Sequence, residues 1–135
     1  MTNPLATEPT LPTLLRAAGQ VTRRLTAAGL DVADWSLRVD VRPSRGSHLE
    51  FQILGLDEAD RLAMVGAVAR TLKARFTAEE RPGFCESVPD GYVHLRGQVT
   101  RGNVVIEIVA VLFSPEACDQ ARAMFPAPPA LAGAA

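Results

Sequence analysis

Two segments of the chain alternate apolar and polar side chains with a period of two, which is the pattern of a strand with one buried face. The first segment turns at an Arg-Gly dipeptide, and its apolar residues are Trp35, Leu37, Val39 and Val41, followed by Leu49, Phe51 and Ile53. The second starts at Val93 and continues beyond Arg101 and Gly102 into a nearly continuous apolar run over 104–113, interrupted by Glu107. We therefore expect two β-hairpins in a sheet that buries one face.

Helical spacing precedes each hairpin. A first helix is predicted over 12–29, with Gly29 as its C-terminal stop. A second helix begins after Asp57 as N-cap and carries acidic residues in its first turn, where the helix dipole favours them. The predicted buried stripe of this second helix consists of Leu62, Val65, Ala69, Leu72 and Phe76.

Two further segments complete this picture. Ser114 as N-cap and Pro115 at the first helical position predict a short third helix over 115–124. Residues 77–91 mix turn residues with a short apolar stretch, so an edge strand and a loop both remain open for them.

The order of these elements predicts the fold class. Helix, strand, Arg-Gly turn and strand occur twice, which indicates a tandem αββ arrangement. The predicted fold is α+β, with an antiparallel sheet of four to five strands and helices packed on one face. This order is similar to that of circularly permuted ferredoxin-like domains and, more loosely, of small secretion-chaperone-like folds. Similarity of fold alone implies no function.

The apolar pattern also predicts which residues face each other, because opposite residues of a hairpin share one face of the sheet. In the first hairpin, Val41 is expected opposite Leu49 or Phe51, across a three-residue loop formed by Ser44, Arg45 and Gly46. In the second hairpin, Leu95 and Val99 are expected opposite Ile108 and Val104, which places Arg96 opposite Glu107 in a cross-strand ion pair.

Length and composition set the domain limits and the cellular setting. The 135 residues suit one domain over 12–125, between a flexible segment at 1–11 and a disordered Pro/Ala tail at 126–135. Cys85 and Cys118 are too few for a disulfide framework, and the first residues do not resemble a secretory signal. A cytoplasmic protein is expected, and the preference for Arg over Lys is typical of a GC-rich bacterial genome.

The outward side of the second hairpin provides the leading functional hypothesis. Glu107 is charged and is expected to point outward, together with every second residue of its strand. The other residues at these outward positions are apolar, so we expect another protein surface to cover them. The predicted interaction surface comprises Val105, Val109, Val111 and Phe113, with Tyr92. This surface favours a non-enzymatic interaction or regulatory protein that binds a protein partner or a second copy of itself, as a homodimer.

Nucleic-acid binding is the alternative hypothesis. The arginines at the hairpin tips and on the outward face can contact phosphates, and they are Arg38, Arg42, Arg45, Arg96 and Arg101. A formal net charge of −1 disfavours such a partner.

Chemistry at a metal or catalytic site is the third class considered. His48 and His94, with Asp40, Glu50 or Glu107, are the residue types that a zinc or acid–base site uses. Their spacing matches no diagnostic motif, so no catalytic residue, metal or cofactor is predicted.

Overall fold

The computed structural model describes residues 10–41, 48–83 and 91–128. The helices and strands in these ranges are, in order, α1 (Leu11–Ala27), β1 (Ser36–Asp40), β2 (His48–Gln52), α2 (Glu58–Leu72), β3 (Arg75–Arg81), β4 (Tyr92–Arg101), β5 (Val104–Leu112) and α3 (Pro115–Met124). Asp57 and Ser114 accept hydrogen bonds as the N-caps of α2 and α3, as the sequence predicts. No helix in the described ranges is long and apolar enough to cross a membrane.

The five strands form one mixed sheet in the order β1-β2-β5-β4-β3. The β1–β2, β5–β4 and β4–β3 pairs are antiparallel, while β2 and β5 run parallel. The predicted α+β class is confirmed, and the mostly antiparallel sheet is consistent with a ferredoxin-like arrangement. The parallel pair differs from the fully antiparallel sheet that the sequence predicts, because the extra strand β3 reverses the chain once more before β5.

The end of α2 differs from its predicted position. The helix ends at Leu72, where Lys73 adopts a left-handed conformation with φ of 55°. Phe76, which the sequence assigns to the helix, instead lies on β3 and packs into the core. The first part of the ambiguous 77–91 segment is therefore an edge strand, and residues 84–90 lie outside the described residues.

Both hairpins keep the predicted faces but shift in register by two residues. Val39 pairs with Leu49, so Val41 lies beyond the ladder, and the predicted three-residue loop falls among residues 42–47, which are not described. In the second hairpin Leu95 pairs with Ala110 and Val99 with Ile106. Its turn lies at 102–103, where Gly102 has a positive φ of 62°, as the first central position of a type II′ turn requires.

The core lies between the helices and one side of the sheet, which we call the helix face. Buried residues of all three helices join Leu49, Phe51, Ile106 and Ile108 in one apolar cluster. Gly97 lies on this face, and a Cβ there would lie 2.8 Å from ring atoms of Phe76. The opposite side of the sheet, which we call the open face, carries no helix of the described ranges.

The predicted tail begins beside the edge of the sheet. The carbonyl of Pro126 accepts a hydrogen bond of 2.9 Å from the amide of Ala78 on β3. Residues beyond 128, together with residues 1–9 of the predicted N-terminal segment, lie outside the described part of the chain.

Candidate functional site

The open face carries a network of ion pairs along β3, β4 and β5. Arg96 on β4 lies at its centre, with its Nε 3.3 Å from an oxygen of Glu79 and its Nη1 bonded to Glu107. Arg81 also contacts Glu79, at 2.8 Å. Register places Arg96 directly opposite Val109, so its predicted pair with Glu107 forms diagonally. Because Arg96 is held by two carboxylates, it is poorly placed to bind a phosphate.

Three potential metal ligands meet beside this network. Ligand atoms of His48, Glu50 and Glu107 all lie within 4.8 Å of one another, and the three side chains are partly buried. His48 and Glu50 are two residues apart on β2, so they share the open face, and Glu50 pairs in register with Glu107 on β5. One imidazole and two carboxylates are ligands that Zn²⁺ accepts. The cluster can hold one such ion, although its Glu107 is already bonded to Arg96.

His94 lies on the same face of β4 but belongs to a different environment. It pairs in register with Val111 and Glu79, and its Nε2 is buried without a hydrogen-bond partner among the described residues. Burial, followed by the charge of Arg96, lowers the pKa of His94. The metal-ligand cluster contains His48 but not His94, so the structure does not join the two histidines in one metal site.

The predicted interaction surface is only partly accessible. Val109 is 3% exposed, because it lies between Gln52 and Arg96 on the neighbouring strands, and long polar side chains can cover apolar neighbours with their stems. Val111 is partly buried opposite His94. The ring of Tyr92 packs against that of Phe113 at 5.3 Å between centroids, while Val105 lies separately near the turn. The stripe is therefore not one continuous apolar surface.

A second apolar surface, whose residues the period-two pattern assigns to the core, lies at the β1 edge. We use this name for residues 37–41. Leu37 and Val39 share the helix face with their partners Phe51 and Leu49, and by alternation Val41 lies on that side too. Leu37 is 43% exposed and Val41 is 45% exposed. The period-two pattern identified the face of these two side chains, but it could not show that no helix of the described ranges shields them.

The arginines proposed to contact nucleic acid do not form one basic surface in the described residues. Arg38 contacts Asp40 at 3.2 Å on the open face, and Arg96 is held in the network above. Arg101 lies by the turn of the second hairpin, where its Nη1 donates to the carbonyl of Thr100 at 2.9 Å. Arg42 and Arg45 lie outside the described residues.

Comparison with known proteins does not add a functional assignment. No family model, no curated protein and no solved structure matches this chain. The residues and their geometry are therefore the basis for a functional assignment.

Proposed function

We propose that this chain is a non-enzymatic interaction or regulatory protein that acts as a homodimer, joined through the β1 edge of each copy. The observation that carries the proposal is the exposure of Leu37 and Val41 on an edge strand, on the side of the sheet that is otherwise buried by helices. An exposed edge presents backbone hydrogen-bonding groups that can pair with another strand. Adding a strand of a second copy would cover those groups and both apolar side chains.

The sequence of the β1 edge is complementary to itself. In an antiparallel pair centred on Val39, residue 37 of one copy faces residue 41 of the other, and residue 38 faces residue 40. Leu37 then meets Val41 of the second copy on the helix face, while Arg38 meets Asp40 on the open face. Each contact occurs twice because the interface has two-fold symmetry. One short segment thus supplies both apolar and charge complementarity.

The other edge of the sheet is less suited to this role. The amide of Ala78 on β3 is already bonded to Pro126. Glu79 and Arg81 place charges along the open face of the same strand, and charged side chains are a common protection against edge pairing. The two edges therefore differ in a way that directs association to β1.

The size of the β1 edge indicates a dimer of moderate affinity. Full burial of a Leu or Val side chain contributes roughly 1.5–3 kcal/mol, so covering the exposed half contributes about 1 kcal/mol for each. Four such side chains, with new backbone hydrogen bonds and two ion pairs, must offset the entropy of association. We expect a dissociation constant in the micromolar range.

The test compares two matched substitutions by sedimentation equilibrium over a range of protein concentrations. Leu37→Lys introduces a charge at the β1 edge, and Val105→Lys introduces the same charge at a residue of similar exposure on the open face. We expect Leu37→Lys to give a monomer and Val105→Lys to leave the dimer intact. A dimer disrupted only by Val105→Lys would move the interface to the open face, and a monomeric wild type at high concentration would refute the proposal.

Two further expectations accompany this proposal. We also propose a cytoplasmic location, which fractionation of the native cell would test. Nucleic-acid binding stays the alternative function, and the described residue that favours it is Arg101 at the hairpin turn. Retention of RNA or DNA at low salt, lost as salt is raised, would support that alternative.

A further inference from the structure

A small polar cleft lies between the first half of α1 and the turn of the second hairpin. Its volume is about 190 Å³. The lining residues are Thr13, Arg16, Ala17 and Gln20 from α1, and Arg101, Gly102, Asn103 and Val104 from the hairpin. Pockets for drug-sized ligands usually measure about 300–1,000 Å³. The cleft therefore suits a small ion or a single chemical group.

The cleft has a positive lining. Arg16 and Arg101 reach it from opposite sides, and none of its lining residues among the described positions is acidic. Arg101 offers one hydrogen bond to the backbone carbonyl of Thr100 through Nη1. Two guanidinium groups facing one small space repel each other unless an anion lies between them.

One hydrogen-bond donor of a residue that lines the cleft lacks an acceptor. The Nη2 atom of Arg101 is buried and has no hydrogen-bond partner among the described residues. A buried donor without an acceptor destabilises the structure, and more so when the group is charged. Rotation of the guanidinium toward the cleft would let an anion there accept from this nitrogen and remove that destabilisation.

We infer that this cleft binds a phosphate group. Arginine suits this ligand because its planar guanidinium donates two parallel hydrogen bonds to phosphate oxygens. On the α1 side of the cleft, Gln20 provides a side-chain amide, and Thr13 provides a hydroxyl that is 3.0 Å from that of Thr10. The group can belong to inorganic phosphate, to a mononucleotide or to a nucleic-acid backbone. This inference is independent of the proposed dimer, because none of the lining residues belongs to the β1 edge.

The experiment titrates the full chain with inorganic phosphate, adenosine monophosphate and a short single-stranded oligonucleotide, with sodium chloride added to keep ionic strength constant. Binding is followed by chemical shifts of arginine side chains and by calorimetry. Arg101→Gln and Arg16→Gln remove the two charges, and Arg75→Gln is the control, because Arg75 is an exposed arginine on the open face. Circular dichroism confirms that each variant is folded.

We expect phosphate or the mononucleotide to bind the wild type and the Arg75→Gln protein alike. Loss of one charged hydrogen-bond donor should weaken binding about tenfold or more in Arg101→Gln. If only the oligonucleotide binds, with the same dependence on Arg101, the phosphate belongs to nucleic acid and the inference stands. The inferred phosphate site would be overturned if Arg101→Gln and Arg16→Gln left binding unchanged, or if none of the three ligands bound the protein.

Discussion

Charge reversal at the β1 edge provides the sharpest test of the proposed dimer. Arg38→Asp brings two carboxylates together at each of the two symmetric contacts, because the new carboxylate faces Asp40 of the second copy. Asp40→Arg brings two guanidinium groups together in the same way. Both single variants should associate more weakly than the wild type, and the double variant should recover its affinity because opposite charges face each other again.

The expected size of this effect follows from the exposure of the two side chains. Arg38 is 64% exposed and Asp40 is 26% exposed, so their attraction across the interface is that of a partly solvated pair. Such a pair contributes about 0–1 kcal/mol, and a like-charge pair costs a similar amount. Reversal therefore changes each contact by up to about 2 kcal/mol, or about 1 kcal/mol at the middle of these ranges. Two contacts of about 1 kcal/mol each raise the dissociation constant roughly 30-fold.

The assay is sedimentation equilibrium of the four proteins at low and high salt, together with urea unfolding of each. Unfolding is needed because Arg38 also contacts Asp40 and faces Glu50 within its own copy, so Arg38→Asp costs the monomer about 1 kcal/mol or more. High salt should reduce the difference between single and double variants, since partly exposed charges are screened. If the singles dimerise as well as the wild type, or if the double variant is no better than they are, the proposed pairing is wrong.

Three further predictions concern the monomer. Gly97→Ala should lower the free energy of unfolding in urea by about 1–3 kcal/mol, because the alanine Cβ would overlap the Phe76 ring. The decrease should be smaller in a Phe76→Leu background. In the folded protein the pKa of His94 lies below its ordinary value of 6.5, so the unfolded chain binds the proton first as pH falls. The free energy of unfolding should therefore decrease below about pH 6.5, and His94→Gln should reduce that decrease. Burial raises the pKa of Cys118, so its thiol should react slowly with a disulfide reagent and faster in urea. The measurement uses a Cys85→Ser background so that Cys118 alone reacts. A rate in native buffer equal to that of a free thiol would contradict this expectation.

The sequence was sufficient for the elements with strong local signals. Asp57 and Ser114 mark two helix starts because a side-chain oxygen at the N-cap satisfies an amide of the first turn. The end of α2 carries no comparable signal, because Lys73 adopts the left-handed conformation that glycine usually supplies. Phe76 follows Leu72 by four residues, which fits a helix, and alternates with Ala78, which fits a strand. Local pattern could not decide between these two structures.

Strand register shows a second limit of sequence patterns. The buried face fixes whether odd or even residues point inward, and this prediction was correct for both hairpins. A shift of two residues preserves every face, so the pattern cannot distinguish Leu95 opposite Ile108 from Leu95 opposite Ala110. The turn decides between them, through Gly102 at the position that needs a positive φ.

The candidate surfaces differ from the predicted ones because exposure depends on neighbours in three dimensions. Val109 lies on the central strand β5, where adjoining strands on both sides shield it. Leu37 lies on an edge strand, which has a neighbour on one side alone within the described sheet, and it remains exposed although it points to the helix side. Sequence alternation reports the direction of a side chain but not the strand order. An apolar residue of an edge strand is therefore a better candidate for a partner surface than one at the centre of the same sheet, and in this chain that reasoning selects β1 over β5.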